Sequence, residues 1–234
     1  MHSQLQYFGR DPKNSSIIEY FCLEFFESMR KIFITGIGTD VGKTVVAAIV
    51  TEALKADYWK PVQAGDLEFS DTDRVRSWVS NHESVFHPNS YALKTPMSPH
   101  AAADIDGTQI ELVKIEPPRT SNDLVIEGAG GLLVPLNEKE TILNLIEDDF
   151  KILVVSRNYL GSINHTLLTL EALRAHGKQV SGVIFNGEEV PTTERIIETL
   201  SGIPVLGRLD WEEHIDSGVV SKYAKQFKSK LENL

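Results

Sequence analysis

The segment KIFITGIGTDVGKT, from Lys31 to Thr44, is the strongest indication of the fold in this sequence. Its first five residues are mostly β-branched or aromatic, which is typical of a buried strand. Glycines follow, and residues 44–55 then repeat apolar side chains at the spacing of one helix face. This order of strand, glycine-rich loop and helix predicts a loop whose backbone N–H groups hold phosphate at the positive N-terminus of the helix.

Two side chains in this loop fit nucleotide chemistry. Lys43 would reach the β- and γ-phosphates, and Thr44 would ligate Mg²⁺. Five residues, rather than the usual four, separate Gly36 from Gly42. The alternative is a chance glycine-rich turn with a surface lysine, which the preceding strand and the following helix disfavour.

Strand and helix patterns alternate along the remaining chain. This alternation predicts an α/β fold of the P-loop NTPase type: a single domain with a mostly parallel sheet and helices on both faces. Ligands of such sheets bind at the carboxyl ends of the strands, where most candidate residues fall. The predicted strands are 31–35, 58–62, 123–127, 151–156, 180–185 and 204–207, and the predicted helices are 44–55, 71–80, 162–176, 192–200 and 217–231.

Two carboxylates are candidates for holding the metal. Glu127 ends an apolar strand, where many P-loop proteins place a carboxylate towards Mg²⁺. Asp73, in the sequence DTD, would supply a second. The alternatives are a solvent-facing strand end for Glu127 and a helix cap for Asp73, because Asp is common at helix starts.

Composition excludes several classes of protein. The 234 residues suffice for one domain with a buried core, and the net charge of −10 disfavours a nucleic-acid binder. The single cysteine, Cys22, allows no disulfide within the chain and fits a reducing cytoplasm. No apolar run approaches the ~20 residues that cross a bilayer.

The first 28 residues stand apart from these motifs. Apolar side chains from Ile18 to Met29 follow the period of an amphipathic helix. Acidic residues interrupt this segment and no basic segment precedes it, so a signal peptide is not expected. We expect residues 1–28 to be an N-terminal extension that the domain at 29–234 can lose. The alternative is an accessory helix packed on the core.

Several motifs together resemble the dethiobiotin synthase family. Their order and spacing agree from about Lys31 to Gly207, and the longer phosphate loop is a feature of that family. A phosphate loop by itself is generic, whereas this combination is far more specific. The motifs are TGIGTDVGKT (35–44), KPVQAG (60–65), DTD (71–73), SPH (98–100), EGAGG (127–131), LGSINH (160–165) and FN (185–186).

The resemblance implies an ATP-dependent ligase of biotin biosynthesis. CO₂ adds to one amine of 7,8-diaminopelargonic acid, ATP phosphorylates the carbamate, and the second amine closes the ureido ring to give dethiobiotin, ADP and phosphate. The implied catalytic residues are Lys43, Lys60 and Thr39, and an exposed lysine at a strand end is the alternative for Lys60. The implied nucleotide contacts are Gly38, Thr39, Asp40, Val41, Gly42, Lys43, Thr44, Val45 and Asn186, and the implied Mg²⁺ ligands are Thr44, Asp73 and Glu127.

The resemblance also implies a homodimer with a shared active site. A loop from the neighbouring subunit would bind the substrate carboxylate, and a helix cap made by Ser162 or Asn164 is the alternative role of this loop. His100 and His165 are more simply hydrogen-bonded structural residues. The implied substrate contacts are Lys60, Ala64, Gly130, Gly161, Ser162, Ile163 and Asn164.

The chain departs from the family near the nucleotide base. The family usually has proline where this sequence has Asp210, so we expect looser selectivity for adenine. The segment at 106–122 is also short and is interrupted by proline, in a region where the family often has a longer helix.

Two other classes are weaker interpretations. Partition and septum-site ATPases act on protein partners and carry a second lysine early in the loop, where this chain has Gly38. Glutamine-dependent amide synthases need a glutaminase domain with a nucleophilic cysteine, and this chain has neither the length nor a suitable cysteine.

Overall fold

The computed structural model describes residues 29–234, so the helical pattern suspected before Met29 lies outside the described residues. No helix in this part is long and apolar enough to cross a bilayer. The strands are β1 Lys31–Gly36, β2 Asp57–Trp59, β3 Val62–Ala64, β4 Phe86–His87, β5 Tyr91–Leu93, β6 Leu124–Glu127, β7 Lys151–Arg157, β8 Val180–Asn186 and β9 Val205–Leu209. The α-helices are α1 Lys43–Leu54, α2 Asp71–Trp78, α3 Pro99–Ile105, α4 Ser162–Ala175, α5 Pro191–Ser201 and α6 Ser217–Glu232, and Leu112–Lys114 and Ile142–Leu145 form 3₁₀ turns.

Seven strands form one parallel sheet in the order β4-β2-β6-β1-β7-β8-β9. β1 lies at its centre, between β6 and β7. This placement explains why KIFITG is almost continuously apolar, because a central parallel strand is covered on both faces. The carboxyl ends of all seven strands therefore meet at one edge.

Each face of the sheet has its own apolar core. Ile32 and Ile34 point to the face that α1, α2 and α6 cover. Phe33 points to the opposite face, which α3, α4, α5 and the 3₁₀ turns cover. The alternation follows from the two-residue period of a strand and confirms the predicted layer of helices on each side.

The predicted strand at 58–62 is in fact two strands. β2 ends at Trp59 and β3 begins at Val62. Pro61, between them, has no N–H to donate, and its carbonyl instead accepts hydrogen bonds from Ser90 and Tyr91. β3 then pairs with β5 in a separate two-stranded parallel sheet. The break leaves Lys60 at the carboxyl end of β2, on the edge where the other candidate residues lie.

Candidate active site

A cavity of about 860 Å³ opens at the carboxyl edge of the sheet. The phosphate loop forms its floor, and residues after β2, β6, β7, β8 and β9 form its walls. Most of the candidate residues named from the sequence line it, whereas Gly38 and Val41 do not. The candidates that line it are Thr39, Asp40, Gly42, Lys43, Thr44, Val45, Lys60, Ala64, Glu127, Gly130 and Asn186. Further lining residues are Gln63, Asp66, Asp71, Arg74, Trp78, Pro96, Met97, Ser98, Pro99, Ala129, Val134, Arg157, Gly187 and Trp211.

Positive φ angles shape the phosphate loop. Gly42, the residue before α1, has φ 96°, and Asp40 has φ 55°. Asn186, at the end of β8, donates from Nδ2 to the Val41 carbonyl at 2.9 Å. A Cβ on Gly42 would lie 2.3 Å from that same nitrogen. The loop therefore needs glycine at 42 for both its backbone angle and its contact with β8.

Lys43 is a buried cation at the start of α1. Its Nζ donates to the Gly38 carbonyl at 2.8 Å, which folds the side chain back over the loop. Burial lowers the pKa of Lys43 to about 8, and the positive charge of Lys60 adds to this, while Glu127 and Asp71 oppose it. A desolvated ammonium of this kind would attract an anion strongly, because a bound phosphate would replace the interactions with water that the ammonium loses on burial.

Glu127 is the centre of a buried hydrogen-bond cluster. Its side chain is 1% exposed. One carboxylate oxygen, Oε1, accepts from Thr44 Oγ1 and from Lys60 Nζ, both at 2.9 Å. The other, Oε2, accepts from the Tyr58 hydroxyl at 2.7 Å. Burial raises the pKa of Tyr58 well above its usual value, and the Glu127 charge adds to the rise, so the phenol stays protonated and can donate.

Lys60 lies between two carboxylates. Its Nζ is 2.6 Å from Asp71 Oδ2 and 2.9 Å from Glu127 Oε1. Burial alone would lower the pKa of Lys60, but the two carboxylates outweigh it and the pKa is raised. The buried position is inconsistent with the alternative of an exposed lysine at a strand end.

The structure brings Asp71, and not Asp73, to this cluster. Asp73 accepts from the Ser70 backbone N–H and hydroxyl and pairs with Arg76 on the surface, while Ser70 Oγ accepts from the Asp73 N–H. This reciprocal arrangement is a capping box, in which the side chains of Ser70 and Asp73 each accept a hydrogen bond from the other residue's backbone N–H. The prediction of Asp73 as a metal ligand was therefore wrong, because its carboxylate serves the helix cap and the surface pair with Arg76. The sequence Ser-x-x-Asp was the signal that Asp73 caps α2.

The side-chain oxygen atoms of Thr44, Asp71 and Glu127 fit a hard cation such as Mg²⁺. Within residues 29–234, no group of three or more His, Cys, Asp or Glu side chains is arranged to hold a metal. Mg²⁺ needs no such cage, since one or two carboxylates with phosphates and water usually bind it. Asp71 and Glu127 already surround one cation, the Lys60 ammonium, with Thr44 beside them. This donor set suits Mg²⁺ that arrives with a nucleotide.

Another part of the cavity extends past the phosphate loop along β7, β8 and β9. Arg157 Nη1 donates to the Asp40 carbonyl at 3.3 Å, and Trp211 lines the cavity while 72% of its surface is exposed. Asp210 is not among the lining residues: its backbone N–H donates to the Tyr223 hydroxyl, and its carboxylate lies 3.5 Å from Arg208. We expected looser selectivity for adenine because the Asp210 carboxylate would contact the nucleotide base. The structure does not place this carboxylate in the cavity lining.

The residues after β2 and β5 form a less polar part of the cavity. Ala64 and Met97 line it, and Gln63 donates from Nε2 to the Gly65 carbonyl. Ser98 also lines it, and its hydroxyl lies 3.1 Å from His100 Nδ1. This contact agrees with the interpretation of His100 as a hydrogen-bonded structural residue.

The segment at 161–164 does not line this cavity. Gly161 is the residue before α4, with φ 105°, and no side chain caps this helix start, so neither Ser162 nor Asn164 has the capping role. Ser162 is buried, whereas Gly161, Ile163 and Asn164 are exposed. His165 Nδ1 lies 2.7 Å from the Tyr159 hydroxyl, which agrees with a structural role.

Comparison with known proteins finds relatives that match most of the chain. The family described as "AAA domain" matches residues 30–218. The ATP-dependent dethiobiotin synthetase BioD of Christiangramia forsetii is 58% identical over 202 residues, which are 86% of this chain and 98% of that protein. The chain belongs to the dethiobiotin synthetase family. The enzyme of the same name from Cytophaga hutchinsonii is 50% identical over 198 residues, covering 84% of this chain and 96% of the relative.

Solved structures outside the dethiobiotin synthetase family share the fold. The cell division ATPase MinD of Pyrococcus furiosus superposes with a TM-score of 0.55 at 13% identity, over 86% of this chain and 99% of that one. A ParA family ATPase of Chlorobium tepidum gives 0.51 at 14% identity, over 88% and 97%. At this identity the likeness concerns the α/β fold of the P-loop type. The sequence comparisons support the synthetase and not the alternative of a switch ATPase.

Proposed function

We propose that this protein is the ATP-dependent ligase that forms dethiobiotin from 7,8-diaminopelargonate, CO₂ and ATP in biotin biosynthesis. The observation that carries the proposal is the position of two buried lysines in one cavity, Lys43 on the phosphate loop and Lys60 beside it. The reaction has to bring an anionic carbamate next to the γ-phosphate of ATP. Two desolvated cations offset that repulsion and the charge of the transition state.

The two lysines have different tasks. Lys43 takes the phosphates of ATP, because it starts the helix behind the loop and its Nζ already bonds to a loop carbonyl. Lys60 comes from a different strand and holds the carbamate and the transferring phosphoryl group. Thr39, whose side chain lies near Gly130, helps to position them. The loop amides from Gly38 to Val45 and the Asn186 side chain complete the nucleotide site.

Thr44, Asp71 and Glu127 would hold Mg²⁺ in this site. Bound with ATP, Mg²⁺ would neutralise charge on the phosphates and fix their position. The hydroxyl of Thr44 and the carboxylates of Asp71 and Glu127 would supply oxygen ligands from the first turn of α1, from α2 and from β6. Asp71 replaces Asp73 in this assignment because of the contact between Asp71 and Lys60.

Binding of the substrate carboxylate would require a second subunit. Ala64 and Gly130 line the cavity, where the substrate's amines would lie, whereas the cavity lining of the same chain does not include Gly161, Ser162, Ile163 and Asn164. The backbone amides at the start of α4 and the dipole of that helix suit an anion. We propose a homodimer in which this segment reaches the partner's cavity.

Product formation tests the proposed function. Purified protein with ATP, Mg²⁺, bicarbonate and diaminopelargonate should yield dethiobiotin, detected by mass spectrometry. The variant Lys43→Ala should lose turnover by a factor of about 100 or more, since removing one transition-state donor commonly costs about 3 kcal/mol. The surface variant Lys55→Ala, which loses only the exposed pair with Glu83, is the control and should stay active. Full turnover in Lys43→Ala would overturn the assignment.

A further inference from the structure

Tyr58 is a buried side chain that the reaction itself does not use. It belongs to β2, is 0% exposed, and packs near Phe86 with the ring centroids 6.3 Å apart. In the sheet register Tyr58 lies opposite Val125 of β6, so Glu127, two residues further on, projects from the same face. The phenol thereby reaches Glu127 Oε2 at 2.7 Å.

The two oxygens of Glu127 have partners of different kinds. Oε1 meets Thr44 and Lys60, both of which line the cavity. Oε2 meets the Tyr58 hydroxyl, which belongs to a residue outside the cavity lining and fully buried in the sheet. A nucleotide and its cation in the cavity would therefore meet Oε1, whereas Oε2 faces the buried Tyr58 hydroxyl.

We propose that Tyr58 is a positioning residue that anchors one oxygen of Glu127, so that the other oxygen alone is presented to the nucleotide-bound Mg²⁺. The inference rests on the proposed function, because that function gives Glu127 its role towards the metal. A fixed outer partner keeps a carboxylate ligand in one orientation and lowers the entropy lost when the cation binds. Without the hydroxyl, Oε2 is a buried acceptor with no donor, and the carboxylate is free to rotate.

The test uses the full chain and the conservative variant Tyr58→Phe, which removes the hydroxyl and keeps the ring. Binding of Mn²⁺, as a probe for Mg²⁺, to the ADP complex is followed by the loss of the free Mn²⁺ paramagnetic resonance signal. We expect a dissociation constant about tenfold higher than in the wild type, within the range of roughly 10- to 100-fold found for outer partners of metal ligands. The Mg²⁺ concentration for half-maximal turnover should rise by the same factor, with turnover at saturating Mg²⁺ nearly unchanged.

Tyr223→Phe is the matched control. Tyr223 is also buried, and its hydroxyl donates to a carboxylate, Glu212, at 2.8 Å, but that pair lies outside the cavity lining. Loss of the Tyr223 hydroxyl should leave the Mn²⁺ affinity unchanged. An unchanged Mn²⁺ affinity in Tyr58→Phe, with only the melting temperature lowered, would make the hydroxyl merely structural and overturn the inference.

A double-mutant cycle with Glu127→Gln tests the route of the effect. If Tyr58 acts through Glu127, Tyr58→Phe should cause no further loss of Mn²⁺ affinity once Glu127 is changed. An undiminished further loss would contradict the inference. Failure of the wild-type ADP complex to bind Mn²⁺ would instead remove the metal site of the proposed function, and the two failures are therefore distinguishable.

Discussion

We expect nucleotide binding to depend on pH through Lys43. Because burial lowers its pKa to about 8, the ligand-free protein loses this positive charge as the pH rises through about 8. Below that pH the charged ammonium meets the phosphates directly, and above it the protein must take up a proton to bind. We expect the ATP association constant, measured by calorimetry, to be flat near pH 7 and to fall towards tenfold per pH unit above about pH 8.

The variant Lys43→Arg is the control for this titration. A guanidinium stays charged up to a pH of about 12, so the variant should show no such fall between about pH 7 and about pH 9.5, whatever its absolute affinity. The same slope in wild type and variant would show that another group is responsible.

Lys60 should affect the chemical step more than ATP binding. We expect Lys60→Gln to lower kcat by about 100-fold or more and to change the ATP dissociation constant by less than about threefold, because the side chain lies beside the phosphate loop and not on it. Steady-state rates and calorimetric titration measure the two effects. Lys114→Gln, which changes an exposed lysine paired with Glu111, is the control. Collapse of ATP affinity with turnover preserved would contradict this role.

The sequence indicated most of the phosphate-loop residues that line the cavity, but of the two aspartates in DTD it pointed to Asp73, which is not among the lining residues. DTD offers carboxylates at 71 and 73, and only the first faces Lys60. The difference depends on where α2 begins, since its third residue is used for the cap. Tyr58 was missed because its role depends on a contact between neighbouring strands that are 69 residues apart in sequence.

At the scale of elements, the turn from β1 into α1 depends on the glycine at position 42, which combines a positive φ with a close contact to β8. Gly42→Ala would place a Cβ at φ 96° and against Asn186. We expect the free energy of unfolding to fall by about 1–3 kcal/mol, measured by thermal unfolding without nucleotide, and ATP binding to weaken. Gly38→Ala is the matched change, since its Cβ meets nothing within 4 Å. Equal melting temperatures for the two variants would contradict this explanation.

The long elements were predictable and the short ones were not. Central strands and helices such as α4 and α6 have enough apolar residues to show their period. β4 has two residues and β5 has three, too few for any period to appear. The division of residues 58–62 into two strands follows from Pro61, a signal that was present in the sequence.

At the scale of the molecule, the proposed shared site can be tested by complementation. Lys43→Ala and Asn164→Trp, prepared separately, should each be nearly inactive as homodimers. After joint unfolding and refolding, about half of the dimers are mixed, and each has one site with both lesions and one with neither. Activity should therefore recover to about a quarter of the wild type. No recovery in proven mixed dimers would contradict a shared site.

The N-terminal extension gives a second prediction at this scale. A chain that starts at Met29 should keep nearly full activity, because every residue of the candidate site follows it. The melting temperature and the turnover of the shortened and full-length chains provide the comparison. Loss of folding or activity on shortening would favour the alternative, in which the apolar side chains from Ile18 to Met29 form an accessory helix packed on the core.

In the proposed reaction, ATP activates a carbamate made from CO₂ and the substrate's own amine. Isotope labelling tests it most directly: the wild-type protein is incubated with diaminopelargonate, ATP, Mg²⁺ and ¹³C-bicarbonate, and the products are analysed by mass spectrometry. We expect dethiobiotin with one ¹³C in the ureido carbonyl and one ADP released per ring closed. ATP cleavage without ring closure, or dethiobiotin formed without ATP, would contradict it.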